Sequence, residues 1–361
     1  MYLIPGGGAY IQAQIDCAVM AGLHQVIIKG EYEIEKTVLL PSDFTLILED
    51  CYLRMKDDTF CNMFANSACF TQEGRTAAGA QHHISIEGRG RAILDGGEYN
   101  GLSEKNSEKD GRPHISVNNL ILMSNVEHFR VTGLHLRNQR WWACNFVACR
   151  HGLIRDLDFL ADCSYMDNGV RKYGIEDKGE IYANIYIKNA DGIDLRAGCH
   201  DILVEHITGF TEDDTVAVTG LRGSVENLYG VRDLPDDIYN ITIRDVNASA
   251  VCAIVRLLNQ GGVKMYNVLV DGVMDASKGS ACMRRGMSGV RVGDTHQYGE
   301  QNSMPEDTCG ITIRNVCARS HAVMRLGGVM SDCRFENIRG FDGYGMLVDN
   351  QALVDTEAFW K

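Results

Sequence analysis

Three aspartates are spaced so that their carboxyl groups could lie together and transfer protons. Asp191 lies in the segment Asn-Ala-Asp-Gly-Ile-Asp, and Asp213 and Asp214 follow it by 22 and 23 residues. Neighbouring carboxyl groups raise one another's pKa, so one can keep its proton near neutral pH while another stays ionised. Such groups can serve as general acid and general base. If the chain between them makes one turn of a repeating structure, the three carboxyl groups are expected to be neighbours.

Asp213 and Asp214 can serve one site only where the chain bends, because adjacent residues of a regular strand face opposite sides. Gly209 and the clustered acids are typical of a turn at a strand end. An isolated Asp at such a turn is usually only a solvated corner residue. The paired spacing is therefore what favours a shared catalytic site.

A repeat in the sequence predicts the strands that would position these acids. Six segments share a polar or turn residue followed by a short apolar or alternating run, and they begin at His128, His151, His200, Tyr239, Tyr266 and Cys309. A period of ~20–30 residues built from short strands indicates a solenoid, whose coils bury their inner faces by stacking. Ile and Val predominate, and the Leu-x-x-Leu-x-Leu spacing of leucine-rich repeats is missing. We therefore predict an all-β fold, a right-handed parallel β-helix.

We expect residues 1–361 to form one domain of this kind. Ile11, Ile15 and Ala18 fall at helical spacing, which predicts a helix over 9–22 that caps the open N-terminal coil. Long polar segments predict three loops, over 97–113, 162–182 and 279–308. We expect the loop over 162–182 to form one wall of a cleft.

Composition limits the partners and the compartment. Asp and Glu outnumber Lys and Arg, 48 against 35, for a net charge of −13, which argues against nucleic acid or an anionic membrane as a partner. No apolar run approaches the ~18 residues of a membrane span, and the first residues lack signal-peptide features. The 13 cysteines are odd in number without a Cys-x-x-Cys pair, which favours buried thiols in a reducing cytoplasm. A secreted protein would follow if a signal had been removed.

From Gly8 to about Asp275 the order of motifs resembles the polygalacturonases, family 28 of the glycoside hydrolases. The segment from Asn189 to Asp194 is similar to that family's Asn-Thr-Asp-Gly-x-Asp, and Asp213-Asp214 matches its Asp-Asp pair at the right distance. Shorter motifs that resemble the family's N-terminal half are Ile86-Glu-Gly-Arg-Gly90, Leu94-Asp-Gly96 and Leu136-Arg-Asn-Gln-Arg-Trp-Trp142.

The resemblance implies a pectin-lyase-like β-helix and an inverting hydrolase that needs no cofactor and no metal. By carry-over, Asp213 is the general acid, and Asp191 and Asp214 hold and deprotonate the attacking water. The expected partner is an oligosaccharide or polysaccharide of plant type, pectin-related or other. Candidate substrate-binding residues are Asn189, Asp194, Arg256 and the segment Arg140, Trp141 and Trp142, whose aromatic faces suit sugars.

The sequence also departs from the family. The segment 221–230 has no histidine where the family has Gly-His-Gly, and Arg256 is the one cation near the position of its Arg-x-Lys. Two alternatives stay open. One is another β-helix carbohydrate enzyme, a polysaccharide lyase, epimerase or fructan transferase. The other is a non-catalytic glycan-binding β-helix, and a homo-oligomer is open in either case.

Overall fold

A computed structural model describes residues 2–97, 118–161, 164–167, 170–173, 191–259, 262–276, 286–293, 304–341 and 346–360. The chain winds as a right-handed parallel β-helix with a short N-terminal helix, as the sequence predicts. Successive coils contribute strands to two large parallel sheets, which we call sheet A and sheet B.

Sheet A carries the longer strands. Its members are β1 (Gln25–Ile34), β3 (Phe44–Met55), β5 (Gln81–His82), β6 (Ile84–Arg89), β7 (Ile93–Asp95), β9 (Val126–Glu127), β10 (Arg130–Arg137), β12 (Arg150–Leu160), β16 (His200–Thr211), β18 (Ile238–Ala250), β20 (Met265–Asp275), β22 (Thr308–Ala318) and β24 (Arg334–Gly340). The six repeats predicted from the sequence are β10, β12, β16, β18, β20 and β22, which pair in that order.

Sheet B is formed by the shorter strands that follow the corners. Its order is β2 (Val38–Leu40), β4 (Phe64–Asn66), β8 (Ile121–Ser124), β11 (Cys144–Val147), β15 (Ile193–Arg196), β17 (Val216–Gly220), β19 (Ala253–Asn259), β21 (Ser288–Val292), β23 (Ala322–Gly328) and β25 (Met346–Ala352). Inward apolar side chains of both sheets form one continuous core along the solenoid.

Rows of left-handed residues bend the sheet A strands at their second or third residue, and these bends are the left-handed corners of the coils. His151, Asp201, Asn240 and Asn267 occupy successive coils with φ between 52° and 55°. A second row follows five residues later on several coils and creases sheet A, as at Asp156, His206 and Asp245. Asn, Asp and His tolerate this conformation better than other side chains, which explains the polar residue at the start of each repeat.

Helix α1 (Gly7–Met20) covers the first coil. Ile11 and Ile15 are buried in the core, and the helix begins and ends two residues before the predicted 9–22. Gly7 is required by a close approach, since a Cβ there would stand 2.5 Å from the Cβ of Tyr32. The uncovered end of the solenoid is thereby closed against pairing with other strands.

The predicted loops have different outcomes. The range 97–113 lies outside the described residues apart from Gly97. Within 162–182 the structure describes an antiparallel hairpin, β13 (Ser164–Asp167) with β14 (Val170–Tyr173). The prediction of one continuous loop over 279–308 is wrong, because β21 lies inside it. Val290 and Val292 enter the core from β21, and this period of two outweighs the polar residues around it.

The described cysteines are thiols, and most of them are buried. The eleven described cysteines are free, and eight of them are buried. Burial raises the pKa of the Cys51 and Cys199 thiols to about 12, so they act as small apolar side chains. Over the described residues, helices are too short or too polar to span a bilayer.

Candidate active site

The two acid clusters lie at neighbouring corners of the solenoid. Asp191 stands two residues before β15, and Asp213 and Asp214 lie in the corner between β16 and β17. β15 and β17 pair directly, and the Asp214 N–H donates to Asp191 Oδ1 at 2.8 Å. The prediction that the two acid clusters lie on adjacent coils is confirmed. One turn of the solenoid has thus brought residues 23 positions apart into hydrogen-bond contact.

The bend that a shared site requires is present. Residues 212–215 leave the strand conformation between β16 and β17, so Asp213 and Asp214 are not held to opposite faces. A carboxylate oxygen of each lies within 4.8 Å of the other and of Cys252 Sγ. All three side chains are buried. The corner therefore presents two carboxyl groups to one small volume.

Asp214 is surrounded by groups that stabilise a carboxylate. Its Oδ1 accepts the Ala253 N–H at 2.8 Å from the next coil, and its Oδ2 lies 3.7 Å from Arg256 Nη1. Hydrogen bonds and a nearby cation both favour the charged form of an acid. These two contacts favour the carboxylate form of Asp214, and the charge of Asp191 opposes it.

Two neighbouring aspartates hold their protons more tightly. Burial raises the pKa of Asp191 well above its usual range, and the charges of Asp194, Asp213 and Asp214 add to the effect. Burial likewise raises the pKa of Asp194 to about 8, although the Arg196 guanidinium opposes the shift. The site is therefore expected to retain at least one proton near neutral pH, which a general acid needs.

Sequence reasoning missed Arg196 and Glu226. Glu226 lies on helix α2 (Ser224–Tyr229), within the segment 221–230, and its Oε1 accepts from Arg196 Nε at 2.7 Å. The same guanidinium lies 3.5 Å from Asp194 Oδ1 and 4.4 Å from the ring centroid of Trp142. A cation held in this way balances part of the negative charge of the acids. Arg196 lies two residues after Asp194 on β15 and therefore projects from the same face, whereas Glu226, 30 residues away, is brought to it by the fold.

The predicted aromatic platform is buried in this structure. Trp141 and Trp142 belong to a second apolar cluster outside the main core, with Val225 and Tyr229 of α2. Arg140 is fully buried and donates to the Thr59 and Lys56 carbonyl oxygens at 2.8 and 2.7 Å. These contacts tie coils together. A substrate-binding role for the three residues stays a prediction.

Of the other predicted binding residues, the structure describes Asp194 and Arg256. Asn189 lies outside the described residues. Asp194 and Arg256 flank Ala217 in one outward row of sheet B, on the coils immediately before and after the coil of Asp213 and Asp214. Asn145 precedes Asp194 in the same row. Asp194 and Arg256 therefore lie on the outer face of sheet B, one coil before and one coil after the acid pair.

Asp213, Asp214 and Cys252 are also the described residues whose ligand atoms lie close enough together for a metal ion. Two carboxylates and a thiol suit zinc better than calcium, which prefers oxygen ligands. The Arg256 cation beside Asp214 opposes a second positive charge at this corner.

No protein-family model and no curated protein matches the sequence. Solved structures do match along nearly the whole chain. One is a 1,3-α-1,4-β-D-galactose-4-sulfate-3,6-anhydro-D-galactose-2-sulfate 4-galactohydrolase, at 12% identity with a TM-score of 0.60, covering 96% of this chain and 86% of the other. Another is a mutant tailspike protein of E. coli bacteriophage HK620 in complex with pentasaccharide, at 13% and 0.55, covering 98% and 63%. An exopolygalacturonase from Thermotoga maritima matches at 13% and 0.48, covering 98% and 85%.

The galactohydrolase and the tailspike protein, with TM-scores of 0.60 and 0.55, support the fold of this chain. The chain is a parallel β-helix protein with a buried carboxylate cluster at adjacent corners. At 12–13% identity these matches show the fold alone, and an activity depends on the residues of the site.

Proposed function

We propose that the protein is an inverting glycoside hydrolase that cleaves a glycosidic bond in a plant-type oligosaccharide, pectin-related or other. The observation that carries the proposal is the contact between the clusters, in which Asp214 N–H donates to Asp191 Oδ1 at 2.8 Å with Asp213 alongside. Glycoside hydrolysis needs one protonated and one ionised carboxyl group about a single bond. This corner supplies three candidates.

The roles of Asp213 and Asp191 follow the resemblance to the polygalacturonases, and the contacts of Asp214 support its role as the base. Asp213 donates its proton to the leaving oxygen as the bond to the anomeric carbon breaks. Water attacks that carbon from the opposite face and gives its proton to Asp214, which the Ala253 N–H and Arg256 hold as a carboxylate. Asp191, one coil away, orients the water. Direct attack by water inverts the configuration at the anomeric carbon.

The saccharide substrate is supported by the neighbours of the same fold. The galactohydrolase is named for galactose 4-sulfate and 3,6-anhydrogalactose 2-sulfate units, and the tailspike protein was solved with a pentasaccharide. Asp194 and Arg256 flank Ala217 in the outward row of sheet B, on the coils before and after the coil that carries Asp213 and Asp214.

The first test combines labelled water with one substitution. Wild type and Asp213→Asn are incubated with plant-derived oligosaccharides in ¹⁸O water, and products are followed by mass spectrometry and by proton NMR of the anomeric centre. We expect one labelled oxygen per cleavage, inverted anomeric configuration, and a loss of about 10²–10⁴-fold in rate for Asp213→Asn. The matched control is Asp16→Asn, the same change at an exposed position on α1.

Each other outcome assigns a different function. Retained configuration would contradict the inverting mechanism. Unsaturated products without label would indicate a lyase, and label-free transfer products a transferase. Binding without cleavage of any substrate in the panel would favour a glycan-binding protein, the alternative that the tailspike-like fold also accommodates.

A further inference from the structure

An apolar cluster covers the outer face of sheet B on the N-terminal side of the acids. Leu122 lies on β8 and Val147 on β11, and both face outward because strand neighbours such as Phe146 enter the main core. The two residues belong to a separate group of buried side chains, which we call the tryptophan wall and define as Leu122, Trp141, Trp142, Val147, Val225 and Tyr229. A saccharide could cross this part of the face only by displacing packed side chains.

The tryptophan wall stands one coil from the acids. The Ala143 N–H donates to the Asp191 carbonyl oxygen at 2.9 Å. The corner that carries Trp141 and Trp142 therefore lies directly beside the corner of Asp191. On the other side of Asp191, the next corner is that of Asp214.

The outward row of sheet B has the same boundary. Asp194 of β15 is opposite Asn145 of β11, and Asn145 is opposite Leu122 of β8. Asn145 and Leu122 are both fully buried. The coil of Asp191 and Asp194 is thus the last one before the covered part of the face.

Helix α2 holds the tryptophan wall against sheet B. The helix supplies two side chains of the wall and is anchored to two different coils. The Tyr229 carbonyl oxygen accepts from Ser124 Oγ of β8 at 2.7 Å, and Glu226 Oε1 accepts from Arg196 Nε of β15 at 2.7 Å. These anchors keep the helix across the face on the side away from the C-terminal coils.

The connection that carries α2 is longer than a corner of the solenoid needs. Seventeen residues, 221–237, separate β17 from β18, whereas 197–199 suffice after β15 and 329–333 after β23. Arg75 Nη2 donates to the Asn227 carbonyl oxygen at 2.6 Å, which ties the connection to a segment 152 residues earlier. Long connections held by contacts of their own commonly serve a function. The tryptophan wall is therefore an addition to the solenoid, outside its main core.

We infer that the tryptophan wall closes one end of the saccharide-binding face, so that the protein is exo-acting and removes one sugar unit at each cleavage. The saccharide lies along the solenoid axis, with its terminal unit against the wall on the coil of Asp191 and its scissile bond at Asp213. The rest of the chain extends toward the C-terminal coils. Coils stand ~4.8 Å apart, so the single coil between the wall and the acid pair accommodates one pyranose unit. The inference rests on the proposed function for the position of the scissile bond.

The sizes of the first products test this inference. Wild type is incubated separately with β-1,4-galactohexaose and with hexagalacturonate, and products are identified by mass spectrometry at the initial rate. We expect a monosaccharide and a pentasaccharide as the first products. Disaccharides, trisaccharides or tetrasaccharides as first products of wild type would overturn the inference.

A binding experiment tests the closed end without cleavage. Asp213→Asn is titrated calorimetrically with the same two hexasaccharides, untagged or with an aromatic tag at the reducing or the non-reducing end. We expect the tag at the end that meets the wall to weaken binding at least about tenfold, because it has no space there. The tag at the other end should leave binding unchanged. Equal binding of the two tagged forms would overturn the inference.

Substitutions on α2 then assign the closed end to the wall. Val225→Ala combined with Tyr229→Ala should release disaccharide beside monosaccharide and, in the Asp213→Asn background, should bind both tagged forms equally. Leu228→Ala, exposed on the same helix, is the matched control and should behave like its parent. The wall lies outside the main core, so circular dichroism should show a folded double variant. A folded double variant with unchanged products and unchanged tag discrimination would refute the role of the wall.

The two proposals fail separately. Tag discrimination at one end without cleavage by wild type would remove the hydrolase and keep the closed end. Cleavage at internal bonds would keep the hydrolase and remove the closed end. If wild type and Asp213→Asn bind and cleave neither hexasaccharide, both proposals are wrong for these sugars.

Discussion

At the scale of single residues, the site gathers buried acids whose charges conflict. Asp191 and Asp194 lie in a shared field with Asp213 and Asp214, and burial is the largest cause of the raised pKa of both. Arg196 and Arg256 compensate part of this charge. Functional sites often hold such conflicts, because a proton that is retained near neutral pH is what acid catalysis uses.

This conflict predicts a dependence of stability on pH. An acid whose pKa is raised on folding adds stability that is complete below its unfolded pKa, near ~4, and is lost as the pH rises through its folded pKa. For Asp194 that folded value is about 8. Asp194→Asn should therefore gain free energy of unfolding relative to wild type, on the order of 2–5 kcal/mol, between pH 5 and pH 8.5.

Urea unfolding at the two pH values measures this difference. Asp16→Asn, an exposed change of the same type on α1, should follow the wild-type curve at both. If wild type and Asp194→Asn lose stability in parallel, the buried carboxyl group does not hold the extra proton.

At the scale of elements, the corners hold the coils in register. Asn240 has φ 52°, its Nδ2 donates to Asp201 Oδ1 at 2.8 Å, and its own Oδ1 accepts from Asn267 Nδ2 at 2.5 Å. The amides thus connect corner to corner along the solenoid. The backbone conformation and the side-chain ladder are separate contributions, and substitution can resolve them.

Paired substitutions at Asn240 isolate the backbone contribution. Asn240→Gly and Asn240→Ala lose the same amide, but alanine also pays the strain of a left-handed residue, so Asn240→Ala should be less stable by about 1–2 kcal/mol. At Thr242, inside β18, the order should reverse, because glycine weakens a strand interior by about 0.5–1 kcal/mol relative to alanine. Urea unfolding of the four variants checks both differences. Equal stability of the two Asn240 variants would show that the corner relaxes out of its left-handed conformation.

At the scale of the whole molecule, a solenoid couples only neighbouring coils. β18 pairs with β16 and β20, and β1 at the N-terminal end of sheet A pairs with β3. Helix α1 closes this end through Ile11 and Ile15, and Phe335 packs against Trp360 near the other end. Damage at one end should therefore remain local.

Hydrogen exchange can measure this locality. Ile11→Ala should cost about 2–5 kcal/mol of local packing and raise exchange in β1 and β3, while β20 and β22 exchange as in wild type. Phe335→Ala should give the mirror image, with faster exchange in β22 and β24. Val19→Ala, exposed on the same helix, is the control for Ile11. Uniform acceleration along the chain would show that the solenoid opens as one cooperative unit.

The sequence by itself determined the repeat, the fold class and the acid pair. Left-handed corners select Asn, Asp, His or Gly, and inward positions select Ile and Val, so each coil leaves a local signature such as Tyr239-Asn-Ile-Thr-Ile243. The 22- and 23-residue spacing of the aspartates equals one coil, and for that reason their adjacency could be foreseen. The strand β21 inside a predicted loop was missed, because its five residues are too short a pattern among polar neighbours.

Only the tertiary structure decided which residues surround the acids. Glu226 and Arg256 share no motif with the acids, because their positions depend on the register between coils whose lengths vary. Arg256 and Arg291 are 35 residues apart, and Arg291 and Arg325 are 34, yet all three share one row. Insertions at the corners lengthen the chain without shifting the strands, because the core fixes which side chains face inward. Register set by burial, rather than by spacing, therefore determines the charge beside the site.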